Sequence, residues 1–205
     1  MKTLERYFPD LTPLQRERFA ALEPLYRDWN TKINVISRKD MDDFYEHHVL
    51  HSLAIAKAVS FPSGASVLDL GTGGGFPGIP LAILFPEVRF TLCDSIGKKV
   101  KVATAVAESL GLENVTTVNA RVESLPEKYD YIISRAVAPL SDLYGWVKDR
   151  FSRSMICLKG GEVEAEAESC IARHHLSANR FTFCDITLWY KEPWFEGKKL
   201  VILSQ

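Results

Sequence analysis

Asp69-Leu70-Gly71-Thr72-Gly73-Gly74-Gly75-Phe76-Pro77-Gly78 concentrates glycine where a chain can lay its backbone against a bound molecule. Gly71, Gly73 and Gly75 open dihedrals closed to other residues and leave no side chain between main chain and ligand. A second carboxylate, Asp94, follows about twenty residues on, the spacing at which an acid accepts both ribose hydroxyls of a nucleoside. Two further polar clusters follow apolar runs: Asn119-Ala120-Arg121-Val122-Glu123 and Ser134-Arg135-Ala136-Val137-Ala138-Pro139. Together these residues describe a nucleoside-binding site. From Gly73 the run also reads G-x-G-x-x-G, the dinucleotide pattern that seats a pyrophosphate on a helix N-terminus. Asp69 would repel that pyrophosphate, and Pro77 and Pro80 remove two backbone donors. A nicotinamide oxidoreductase is therefore the weaker reading.

The elements that must position these groups are legible around them. Val67 to Leu70 reads as a strand entering the glycine turn, with a helix start at Ile79 to Phe85 behind it. Val88 to Cys93 is a second strand ending on Asp94, and Gly97 to Leu110 a helix stopped by Gly111. Strands follow at Val115 to Val118, Tyr129 to Ser134 and Ser154 to Leu158, with a helix near Pro139 to Arg150. Such alternation makes a mostly parallel sheet. Glu162, Glu164, Glu166 and Glu168 open another helix as a solvated first turn rather than a metal site. Arg180 to Tyr190 and Lys198 to Leu203 read as a terminal antiparallel hairpin.

Upstream, Leu14, Phe19, Leu22, Leu25, Tyr26, Trp29 and Ile33 fall at helical spacing, with Thr12 as N-cap, Pro13 at the first position and Pro24 expected to kink or divide the helix. A second helix is expected from Asp40 and a third from His48 to Val59. Phe61-Pro62-Ser63-Gly64 then breaks the pattern, which places an N-terminal helical cap at 1–62 and the α/β domain at 63–205.

The 205 residues carry a net charge of −1, so no overall field draws in nucleic acid, and only a local basic patch could. Apolar runs are too short to span a bilayer, and the first residues lack a signal-peptide core, so a cytoplasmic protein is expected. Cys93, Cys157, Cys170 and Cys184 lack C-x-x-C spacing and read as reduced core residues. His47, His48 and His51 cluster without a third ligand at usual spacing, and no metal is expected.

Read from Asp69, the run Asp-x-Gly-x-Gly-x-Gly resembles the first motif of S-adenosylmethionine-dependent methyltransferases, in which an acid ahead of the glycines lies near the cofactor's amino-acid part. The resemblance narrows with Trp29-Asn30 and Asn34, His48 with Ser52-Leu53, and Gly71 through Pro80. It continues through Asp94-Ser95, Gly97-Lys98-Lys99-Val100, Arg121-Val122-Glu123, Ser134-Arg135-Ala136 and Leu158-Lys159-Gly160. Over nearly its whole length the chain resembles the RsmG family, also called glucose-inhibited division protein B, methyltransferases of 16S ribosomal RNA at guanine N7.

That resemblance implies a Rossmann-like class I methyltransferase α/β sheet with a terminal antiparallel β-hairpin, S-adenosylmethionine as cofactor, and guanine 527 of the small subunit as target. It implies cofactor contacts at Gly71, Phe76, Val122, Glu123 and Arg135, joined by Gly73 and Gly75 from the loop and Asp94 from the ribose argument. For the RNA, the loops and helix starts expected at the cofactor's edge of the sheet offer Asn30, Asn34, His48, Lys98, Lys99, Lys159 and Lys198, with Lys32, Arg38, Arg135 and Lys199 as further rim residues; for His48 the resemblance also suggests an RNA-facing or structural role. The chain departs from the family pattern in two places. His51 stands where an acid is usual, and Glu196-Gly197-Lys198-Lys199 replaces Glu-Arg-His in the hairpin.

After the fourth strand there is no Asp/Asn-Pro-Pro-Tyr to hold an exocyclic amine and no Pro-Cys nucleophile. A purine ring nitrogen with a free lone pair needs neither, only placement and desolvation. Arg135 is accordingly read as a positioning residue, not a base. Two other readings stay open. A small-molecule or protein methyltransferase predicts an enclosed apolar acceptor pocket, and a non-catalytic ribosome-associated module predicts cofactor binding without turnover. The expected partner is 16S rRNA or the small ribosomal subunit, bound by a monomer.

Overall fold

The computed structural model describes residues 1–37 and 39–205. A short helix α1 (Lys2–Tyr7) precedes α2 (Pro13–Lys32), whose start is a capping box. The Gln15 amide donates to Thr12 Oγ1 at 3.2 Å, and the Thr12 amide donates to Gln15 Oε1 at 2.9 Å. Pro24 does not divide α2. The carbonyl it leaves without a donor, on Ala20, lies 3.5 Å from the Tyr45 hydroxyl, which donates to the neighbouring Phe19 carbonyl at 3.0 Å. A tertiary donor thus stands where the helix ladder is interrupted. Residues 39–43 are turns rather than the helix expected from Asp40. The chain then forms one wide π-helical segment, Tyr45–Leu50, which runs directly into α3 (His51–Ala58).

The sheet is built from β1 (Ser66–Leu70), β2 (Arg89–Asp94), β3 (Val115–Asn119), β4 (Tyr129–Arg135), β5 (Phe151–Gly160), β6 (Phe181–Asp185) and β7 (Lys198–Ser204). Between them lie α4 (Gly78–Leu84), α5 (Gly97–Ser109), α6 (Leu140–Val147) and α7 (Val163–His174). The strand order is β3-β2-β1-β4-β5-β7-β6. Strands β3 to β5 are parallel, and β7 pairs antiparallel with both β5 and β6. The hairpin is as expected, but its first strand stops at Asp185, where Ile186–Leu188 makes a single tight turn.

Alternation along the strands sends side chains to two cores. On one face Val67, Tyr131 and Ile133 bury against α4, α5 and the N-terminal helices, through Leu4, Phe19, Leu22 and Tyr26. On the other, Leu68 and Ile132 pack with Leu143 of α6 and Cys170 of α7. The order reverses at β1, with β2 on one side and β4 on the other. That is the point where open α/β sheets bind ligands, beyond the carboxyl ends of the strands. No helix among the described residues is long and apolar enough to cross a membrane.

Candidate active site

The glycine turn leaves β1 through three left-handed residues: Gly71 at φ +69°, Gly73 at +59° and Gly75 at +111°. A Cβ on Gly71 would stand 2.4 Å from Val137 Cγ2, so only glycine admits the loop after β4 at this distance. The turn is held from four sides. The amides of Gly71 and Thr72 donate to the Cys93 carbonyl at 2.9 and 3.0 Å, and the Gly73 amide donates to Asp94 Oδ2 at 2.9 Å. The Tyr26 hydroxyl of α2 donates to the Gly74 carbonyl at 2.7 Å. Below the turn, Asp69 Oδ2 accepts from the Thr72 hydroxyl at 2.6 Å and from the Gly78 amide at 2.8 Å.

Asp69 is fully buried, and its Oδ1 has no partner among the described residues. Burial pushes its carboxyl up to about 7. The acid ahead of the glycines braces the turn from beneath, through Thr72 and Gly78, and is not among the residues lining the cavity.

Above the turn lies a cavity of about 480 Å³. Gly71, Gly73, Phe76, Asp94, Val122, Glu123 and Arg135 all line it. Gly75 does not; its role is conformational, because a Cβ there would meet Ile79 Cδ1 at 2.4 Å. Asp94 closes β2 with both oxygens held by backbone amides, Oδ2 by Gly73 and Oδ1 by Ile96 at 2.8 Å. Each oxygen retains a lone pair for a diol. Val122 is buried and Glu123 exposed on the short turn after β3, an apolar wall beside an acceptor.

Arg135 ends β4, and its position is set from the N-terminal helices. Its guanidinium lies over the Phe76 ring, 5.0 Å from the centroid, and donates to His48 Nδ1 at 3.1 Å and to the His47 carbonyl at 3.4 Å. Among the described residues no carboxylate lies within ion-pair distance of it. Burial draws its pKa down to about 10. The same burial, with the Arg135 charge second, pushes His48 down to about 3, so its ring is neutral and accepts at Nδ1. The π-helical segment thus supplies a carbonyl and a neutral ring to a cation that has no acid of its own.

The other histidines point elsewhere. His47 stacks on Trp194, centroids 4.1 Å apart, and bonds Asp40 at 3.0 Å, whereas His51 meets Trp194 edge-on at 5.2 Å. The candidate RNA residues divide. Among the described residues, the side chains of Asn34, Lys98 and Lys99 have no internal partner, and Lys99 lines the cavity. Lys198 lies 3.7 Å from the Trp194 ring centroid and donates to the Trp194 carbonyl. Asn30 is spent internally, accepting from the amides of Val35 and Ile36 and donating to the Ile36 carbonyl, so it shapes the loop after α2. Lys159 is spent too: its side chain is 8% exposed and bonds the Ala138 carbonyl at 2.6 Å and Glu166 at 2.8 Å. Lys32 pairs with Asp28, and Lys199 with Glu164. Arg38 lies outside the described residues.

The lining residues outside the sequence candidates include Val35 against Gly74, Cys93 of β2, Ile96 after β2, and Trp146 of α6. Trp146 is 36% exposed, off the face that α6 buries through Leu143 and Val147. A large aromatic on the polar face of an amphipathic helix was the available signal.

Residues 15–185 match the GidB family, described as rRNA small subunit methyltransferase G. The chain belongs to that family. Its GidB relatives include proteins of Bacteroides fragilis, 52% identical over all of both chains, and of Bacteroides thetaiotaomicron, 53% identical over 98% of each. Both are named ribosomal RNA small subunit methyltransferase G. Among solved structures, the fold is similar to magnesium protoporphyrin IX methyltransferase of Synechocystis with bound SAM (TM-score 0.62, 16% identity, 89% of this chain and 96% of that one). It is also similar to a SAM-dependent methyltransferase of Aquifex aeolicus (TM-score 0.58, 16% identity, 82% and 98%). At that identity the likeness speaks to the class I methyltransferase fold alone. The GidB match begins inside α2 and closes at the end of β6, so it takes in Tyr26, the glycine turn, the histidine segment and Arg135.

Proposed function

We propose that this chain methylates guanine N7 at position 527 of 16S rRNA in the small ribosomal subunit, with S-adenosylmethionine as methyl donor, acting in the cytoplasm as a monomer and without a metal. In this reading residues 63–205 are the methyltransferase unit and 1–62 a cap that reaches its site. The observation that carries it is the single cavity, in a chain of this family, where the glycine turn, Asp94, the Val122–Glu123 turn and Arg135 meet.

The donor set fits the cofactor. Asp94 offers carboxylate lone pairs to a ribose diol, Val122 an apolar wall and Glu123 an acceptor to adenine. Arg135, a cation without an acid, suits the amino-acid carboxylate or an acceptor phosphate. When bound, S-adenosylmethionine supplies an electrophilic methyl on a sulfonium, which N7 takes through its lone pair as the carbon–sulfur bond breaks and sulfur keeps the pair. N7 has no proton to lose, so the protein's task is to exclude water and hold the base in line. His48 suits that task better than proton transfer, since its Nδ1 lone pair is occupied by Arg135. Lys98, Lys99, Lys198 and Asn34 are the surface groups we assign to the RNA.

The test is incubation of the protein with radiolabelled S-adenosylmethionine and small subunits from a strain lacking the enzyme, followed by digestion and mass spectrometry. Label on one guanine as 7-methylguanosine is the expected result. Tight cofactor binding without transfer to subunits or free rRNA would refute it.

A further inference from the structure

A second cavity, about 650 Å³, opens beside the first. Ala136 and Val137 line both, so the two cavities adjoin at these residues. Ala136 is held at φ +52°, a left-handed conformation that strains a non-glycine residue, and Val137 is 40% exposed against Gly71. Lys198 and His51 line the second cavity and not the first.

His51 is the unusual member of this lining. It is only 8% exposed, and its Nε2 is buried with no hydrogen-bond partner among the described residues. Its ring neighbours are aromatic, Trp194 at 5.2 Å and Phe195 at 6.3 Å, and neither makes a hydrogen bond to that nitrogen. Burial, then the charges of Arg135 and Lys198, keep the ring neutral, so it carries an acceptor. The cations nearby are engaged already, Lys159 with Glu166 and Lys198 with Trp194. An orphaned polar atom at this depth is costly, and a ligand that pairs with it recovers that cost.

Resting on the guanine methylation put forward above, we propose that the second cavity seats the acceptor guanine and that His51 Nε2 accepts a hydrogen bond from the base's N1–H and N2–H edge. With N7 turned to Ala136 and Val137, where the cavity adjoins that of the methyl donor, those two donors face the opposite way. Adenine in the same pose brings a bare N1 lone pair against the lone pair of His51. His51 is then a specificity-determining residue that touches the substrate and not the cofactor.

Single-turnover transfer of labelled methyl to unmodified small subunits tests this, with cofactor affinity measured in parallel for wild type, H51F, H51A, H51N and H51D. H51F keeps a ring among Trp194 and Phe195 and removes the nitrogens, so it reads the polar role even where H51A is poorly folded. The expected result is cofactor Kd within about twofold for H51F, with apparent subunit affinity or rate reduced about tenfold or more. H51N or H51D, which restore an acceptor, recover part of that loss. H51F at wild-type rate and wild-type half-saturation overturns the proposal. So does a loss in H51F that neither acceptor variant relieves and that cofactor affinity follows, since that marks a packing role. A wild-type protein that binds cofactor and marks no subunit fails the functional reading itself, and the acceptor proposal falls with it.

Discussion

Tyr26→Phe isolates the one hydrogen bond that ties the cap to the glycine turn. The Tyr26 hydroxyl is buried and donates to the Gly74 carbonyl at 2.7 Å, forty-eight residues away in sequence. The ring packs on Phe76 at 4.8 Å and on Phe44 at 5.5 Å, and phenylalanine keeps those contacts. What is lost is one bond, leaving a carbonyl at the back of the cavity without a donor, which costs about 1–3 kcal/mol. For a chain of this size that is a fall in Tm of about 2–4 °C per kcal/mol. Urea denaturation should show a lower midpoint with unchanged slope. Because Gly74 lines the cavity and Tyr26 does not, cofactor affinity should fall as well, by up to about tenfold for each 1.4 kcal/mol that appears as loop freedom. Calorimetric titration reads that term separately. A variant within about 0.3 kcal/mol of wild type, with unaltered cofactor Kd, would show that the turn holds its shape without the cap, and the reasoning would be wrong.

Asp94→Ala removes the acceptor shared by the Gly73 and Ile96 amides and the ribose acceptor together, and equilibrium dialysis should show cofactor affinity down by at least about tenfold. Trp146→Ala should weaken cofactor binding about three- to tenfold while leaving the urea midpoint nearly unchanged, since the ring is at the cavity rim and not in the core. Asp69→Asn should keep the bonds from Thr72 and Gly78 through its amide oxygen and remove a pH dependence. The Asp69 pKa is raised on folding, from near 3.8 to about 7, so the unfolded chain ionises first and this residue's contribution to stability falls as pH rises through that window, by up to about 4 kcal/mol. The stability of Asp69→Asn relative to wild type should therefore grow between pH 4.5 and 7.5. His48 acts in the opposite sense in both proteins and cancels in the difference, and a pH-independent difference would count against the assignment.

What was legible in the sequence was what is decided locally. Positive φ demands glycine, so the turn at 71–75 announced itself, and Asp94 followed from a strand of fixed length ending at a fixed distance. Thr12 and Pro13 wrote a helix start, and the structure adds Gln15 to complete its capping box. What was not legible depends on partners brought in by the fold. A lysine after a strand looks like any surface lysine until β5 sets Lys159 between Ala138 and Glu166, and Asn30 looks like an RNA contact until the loop after α2 folds back on it. Pro24 looked like a break because the hydroxyl that stands at its gap comes from Tyr45, twenty-one residues on.

The histidine segment shows the same limit at the site itself. Helical spacing puts His47 and His51 on one face and, with no third ligand at usual spacing, points to no metal; nothing in it points to Arg135. A wide π turn sets His47 against Trp194, which His51 also meets, and turns His48 to Arg135 before α-helical geometry resumes at His51. Arg135 therefore answers to residues of the cap as much as to its own strand. A cation stacked on Phe76 and bonded to a neutral ring is held in place without being neutralised, so its charge stays available to an anionic group in the cavity. An acid at position 48 would have spent that charge. The cap acts on the chemistry by positioning the arginine while leaving it unpaired.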